Sequence, residues 1–121
     1  MNRKMVLVVD DDEVIREFLL FNLEDLGYRV VLASDGVEAV TTVIEKREVD
    51  FVVLDMMMPN LNGKNTLKIL KQLKPELPVI LCSGYLEMDD LVGQAREAGV
   101  VGCLSKPFSF AALESLLSAH S

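Results

Sequence analysis

Asp10, Asp11 and Asp12 stand in a row after the apolar run Met5 to Val9, and Asp55 follows Phe51-Val52-Val53-Leu54. Ser83 follows Val79 to Cys82, and Lys106 sits in Ser105-Lys106-Pro107 after Val100 to Leu104. Each has an ordinary reading alone, since Asp and Ser after a strand cap helices or make turns and Lys is usually a solvated charge. Together they would be a carboxylate cluster with one hydroxyl and one amine. Two carboxylates ~5 Å apart repel by about 3 kcal/mol at an effective dielectric of 20. Such a group must shift its pKa values, splay apart or take up a cation. Hard oxygen donors with no clustered His or Cys favour Mg²⁺, which keeps positions open to phosphoryl oxygens. The single histidine, His120, lies beside the end of the chain and reads as a solvated residue. Phosphoryl transfer needs mainly positioning and charge neutralisation, and a carboxylate can be its nucleophile. Asp55, after the most continuous apolar run, is the candidate nucleophile, with Asp10 and Asp11 as candidate metal ligands. Lys106 could neutralise one phosphoryl oxygen and the Ser83 hydroxyl could donate to another.

These residues meet only if the elements before them share one edge. The five runs Met5 to Val9, Arg29 to Ala33, Phe51 to Leu54, Val79 to Cys82 and Val100 to Leu104 have the length of buried strands. Helical spacing fills the gaps: Ile15, Phe18, Leu19, Asn22, Leu23 and Leu26 before Gly27, then Val37, Val40, Val43 and Ile44. A third helix is expected from Lys64 to Leu73, a fourth with Leu91, Val92, Ala95 and Ala98, and a fifth with Phe110, Leu113, Leu116 and Leu117. Strict alternation predicts right-handed crossovers, a parallel sheet and helices on both faces. Ligand chemistry in such a sheet lies at the carboxyl ends of the strands.

With 121 residues, half of them apolar, the chain fits one domain, residues 1–121, whose core needs no staples. The formal charge of −7 opposes phosphate neutralisation and argues against direct nucleic-acid binding. Cys82 and Cys103 have no paired spacing and suit a reducing compartment. The apolar run from Met5 to Val9 is too short for a signal peptide, and none approaches a membrane span. A cytoplasmic protein without membrane contact is expected.

Four segments carry a resemblance to the receiver domain of two-component response regulators: Val8 to Asp12; Leu54-Asp55-Met56-Met57-Met58-Pro59 with Gly63; Pro78 to Gly84; and Ser105-Lys106-Pro107-Phe108. The resemblance covers essentially the whole chain. It implies a flavodoxin-like receiver fold, a five-stranded parallel sheet of order 2-1-3-4-5 flanked by five helices. Asp55 would be phosphorylated by a sensor histidine kinase or histidine phosphotransfer protein. Mg²⁺, or another divalent cation such as Mn²⁺, would be held by Asp11, Asp55 and the Met57 carbonyl, with Asp10 assisting through water. Ser83 would turn toward the phosphoryl group, and the surface of the fourth helix, fifth strand and fifth helix would change for an output partner or domain. The family's aromatic switch position falls on Cys103, expected here as a small buried core residue. The Lys106–Pro107 peptide is expected cis, which aims the amine at the site. Tyr85 and Met57 are expected to flank the path of the hydrolytic water.

Other classes fit less well. An aspartyl-nucleophile phosphatase wants a carboxylate two residues after Asp55, where Met57 stands. A flavodoxin-like cofactor binder wants a Gly-rich or hydroxyl-rich phosphate loop where the three aspartates stand. An unphosphorylated interaction domain would have no use for this set of polar residues.

Overall fold

Each of the five apolar runs contributes a strand in the computed structural model, which describes residues 3–58, 62–84, 99–107 and 109–120. The strands are β1 (Met5–Val9), β2 (Arg29–Ala33), β3 (Val49–Asp55), β4 (Val79–Gly84) and β5 (Gly102–Lys106). They pair in parallel in the order β2-β1-β3-β4-β5, as expected. Four helices lie among the described residues: α1 (Glu13–Asp25), α2 (Gly36–Glu45), α3 (Gly63–Leu73) and α4 (Phe110–Ala119). The helix expected around Leu91 to Ala98, and with it Tyr85, Pro59 and Phe108, lies outside the described residues.

Side-chain alternation along the strands splits the interior in two. Leu7, Val9, Val52, Leu54 and Leu81 pack with Ala39 and Val43 of α2 and Leu67 and Leu70 of α3. Val6, Val8, Phe51, Val53 and Ile80 pack on the other face with Leu19 and Leu23 of α1 and Leu113 and Leu117 of α4. Each helix starts on a polar cap: Asp12, Asp35, Asn62 and Ser109 accept from the backbone N–H of Val14, Glu38, Asn65 and Ala112. Gly27, at φ 95°, takes the left-handed conformation that ends α1. At the amino edge, β1–β3 register slips between Met5 and Val6, and the Asp50 carboxylate accepts the Met5 N–H at 2.8 Å.

Three expectations need correction. β5 spans Gly102–Lys106, so Ser105 and Lys106 close the strand rather than follow it, because pairing with β4 runs on to Gly84↔Lys106. Val37 and Ile44 are exposed, whereas Val40 and Val43 pack on the core as expected; Gly36 and Ala39 complete the buried face of α2. On α1, Phe18 and Leu26 are likewise exposed.

Candidate functional site

β1 and β3 lie side by side at the centre of the sheet and end in acid. Val9 pairs with Leu54, so Asp10 and Asp55 emerge as neighbours at the carboxyl edge. Both are buried, at 3% exposure each, whereas Asp11 is exposed. One carboxylate oxygen from each of Asp10, Asp11 and Asp55 falls in a group whose members all lie within 4.8 Å of one another. β5 delivers the counter-charge: Lys106 Nζ lies 2.7 Å from Asp10 Oδ2 and 3.4 Å from Asp55 Oδ2. The Lys106–Pro107 peptide is cis.

Asp10 is held at every polar atom. Its N–H donates to the Ala33 carbonyl at 3.1 Å, and its carbonyl accepts from Arg16 Nη1 at 2.8 Å. Oδ1 accepts the Asp12 N–H at 2.9 Å, and Oδ2 accepts from Lys106. Asp55 is held less fully, with Oδ1 accepting the Met57 N–H at 3.0 Å. α3 closes this corner through Gly63, whose N–H donates to the Met56 carbonyl at 3.3 Å. A Cβ on Gly63 would lie 2.4 Å from Met56 Cα and 2.9 Å from the Asp55 carbonyl oxygen, so only glycine fits.

The electrostatics follow. Burial lifts the Asp55 carboxyl to about 6; the Met57 N–H draws it back, the Asp10 charge raises it and Lys106 lowers it. Burial pulls the Lys106 amine down, but its hydrogen bond to Asp10 and the two carboxylate charges outweigh this and leave it above an ordinary lysine. Cys82, paired with Asp55 on β4, has its thiol pushed up to about 12, chiefly by burial, which makes it inert. Ser83, one residue on, is 1% exposed, and its Oγ is the one buried side-chain polar atom among the described residues with no hydrogen-bond partner. A buried hydroxyl in that state keeps its hydrogen-bonding capacity for a group that enters the site.

Asp10, Asp11, Asp55 and Lys106 are thus brought together, and Ser83 sits on the strand between Asp55 and Lys106. Asp12 leaves the acidic group: its carboxylate caps α1 by accepting the Val14 N–H at 2.9 Å. Its place one residue before the helix was the signal for that role. The Met57 side chain is 60% exposed. Cys103 is half-buried rather than buried, and packs against the α2–α3 side. Sequence reasoning missed Arg16, whose position on the second turn of α1 gives no hint that it reaches back to β1.

Fold and site together define a doubly wound α/β domain whose central strands end in a buried carboxylate pair braced by one amine. The sequence matches the response regulator receiver domain over residues 6–118, and the chain belongs to that family. It is 42% identical over 110 residues to the alkaline phosphatase synthesis transcriptional regulatory protein PhoP of Bacillus subtilis, covering 90% of this chain and 44% of PhoP. It is 41% identical over 113 residues to response regulator MprA of a Mycobacterium species, covering 93% of this chain and 47% of MprA. The chain therefore spans about half the length of these relatives. A receiver domain crystal structure from Clostridium thermocellum superposes with a TM-score of 0.90 at 30% identity, over 97% of this chain and 93% of that one. As a receiver domain the chain is a phosphorylation-dependent signalling module, a switch rather than a classical enzyme.

Proposed function

We propose that Asp55 is the phosphoacceptor, that Asp10, Asp11, Asp55 and the Met57 carbonyl hold Mg²⁺ or a similar divalent cation, and that Ser83 and Lys106 receive the phosphoryl oxygens. The observation that carries this is the convergence of three carboxylates within 4.8 Å beside one amine and one buried, unpartnered hydroxyl. The all-oxygen donor set suits a hard cation. When bound, Mg²⁺ would supply positive charge against the phosphoryl oxygens.

Receiver domains take their phosphoryl group from a kinase. Here a sensor histidine kinase or histidine phosphotransfer protein would present a phosphohistidine. A carboxylate oxygen of Asp55 attacks phosphorus, the P–N bond breaks with its electron pair returning to the imidazole, and an acyl phosphate remains. Lys106 neutralises one phosphoryl oxygen, and the Ser83 hydroxyl donates to another. Water later attacks the acyl phosphate, releasing phosphate and restoring the carboxylate; Met57 would flank that path. The donor protein would dock on α1, where Val14 and Phe21 are each 73% exposed. There a groove of ≈ 300 Å³ is lined by Ile15, Phe18, Leu19, Lys106 and Pro107.

Residues 1–121 act as one receiver unit in the cytoplasm; among the described residues no helix is long and apolar enough to cross a membrane. The phosphorylated form would present a changed surface around β5 and α4 to an output partner or attached domain, with Cys103 replacing the aromatic switch residue and other contacts carrying the signal. The test is reaction with acetyl phosphate and Mg²⁺ followed by mass spectrometry. One phosphoryl group is expected on Asp55 and none on the Asp55→Asn variant. Equal labelling of parent and variant would overturn the assignment.

A further inference from the structure

We infer that Arg16 is a positioning residue for the acidic site: its guanidinium fixes the Asp10–Asp11 peptide and thereby sets where the Asp11 carboxylate stands. The inference rests on the metal-binding reading above.

Asp11 is the exposed member of the acidic group, and its carboxylate accepts no hydrogen bond among the described residues. Asp10 and Asp55 are both anchored by side-chain contacts. Repulsion from those two buried neighbours favours Asp11 swinging out into water. Only its backbone can oppose this. The Asp10 carbonyl and the Asp11 N–H belong to one rigid peptide plane, so whatever fixes the carbonyl fixes the plane from which Asp11 projects. That carbonyl accepts from Arg16 Nη1 at 2.8 Å, a charge-assisted bond from a partly buried side chain. The Asp10 N–H to the Ala33 carbonyl and the Asp12 N–H to Asp10 Oδ1 fix the plane's two neighbours but leave its own oxygen unheld. Arg16 is thus the one described side chain holding that oxygen. It also brings a permanent positive charge to the acidic turn.

Outer partners that orient a ligand typically control ten- to a hundredfold in metal affinity. Arg16→Ala is therefore expected to weaken Mg²⁺ binding about tenfold by calorimetry, with a cooperative thermal transition retained. Arg16→Lys, which keeps a donor and the charge, should recover most of the loss. Arg16→Met keeps the aliphatic stem without donors and should behave as Arg16→Ala, which covers the case in which the alanine variant fails to fold. A split in Mg²⁺ dependence separates positioning from general damage: labelling of Asp55 by acetyl phosphate should need more Mg²⁺ in Arg16→Met yet reach the parental rate at saturation. Wild-type affinity in a folded Arg16→Met variant, or a lowered saturating rate with unchanged Mg²⁺ dependence, would overturn the inference alone. A parent chain that binds no Mg²⁺ would overturn the functional reading and the inference with it.

Discussion

Asp55 is placed where a lone carboxylate is poorly solvated, and its environment sets a cost in stability. A carboxyl raised to about 6 in the folded protein, from 3.8, gives stability that is present below pH 4 and lost as pH rises through 6. Without divalent cation, Asp55→Asn should therefore be more stable than the parent at pH 7 to 8, on the order of 1–3 kcal/mol, with the gap closing toward pH 4. Urea denaturation at the two pH values measures it; a gap that does not change with pH would contradict the assignment of strain to this side chain. The sequence made Asp55, Asp10, Asp11, Ser83 and Lys106 legible because each directly follows or closes an apolar run. It assigned Asp10 and Asp11 to the metal but did not show that the first is buried and the second exposed. Asp12 became a helix cap because it alone precedes the first helical residue, a local fact, whereas Arg16 depends on the angle at which α1 lies against β1, which one-dimensional spacing does not encode.

Elements hold the site through close backbone approach as much as through side chains. Gly63→Ala would drive its methyl group into the Met56 and Asp55 backbone, and Gly102→Ala would meet only the flexible end of Leu116, at 2.7 Å. The first should cost about 2–3 kcal/mol and abolish labelling of Asp55, the second less than about 1 kcal/mol with labelling retained. Thermal melts and acetyl phosphate labelling of both variants check this; equal losses would mean that the α3 contact has no special role. The parallel sheet followed from alternation and its strand order from the family resemblance alone, but β5 was read two residues early. The apolar run marks where a strand is buried, whereas pairing with β4 carries the ladder into the polar residues of the site. The inward face of α2 was half legible: Val40 and Val43 pack on the core, whereas Gly36 and Ala39, which carry little hydrophobic signal, are buried beside them and Val37 and Ile44 stay exposed.

Across the whole molecule, a charge of −7 and a three-carboxylate group pull the same way: on the proposed reading, cations should stabilise the folded chain, some by general screening and one by binding. A ligand at a hundred times its dissociation constant adds about 2.7 kcal/mol. Mg²⁺ should accordingly raise the melting temperature by several degrees beyond NaCl of equal ionic strength, and the excess should shrink in Asp11→Asn. Identical melting in the two salts would show that screening alone acts. The clasp between Asp50 and the Met5 amide has a practical consequence at this scale. It pins the opening residue of β1 at the pole of the sheet opposite the acidic pocket, roughly 16 Å away along a five-residue strand. A bead, dye or sensor surface coupled to the amino end would therefore hang from the far side, leaving the pocket facing outward to meet whatever approaches it.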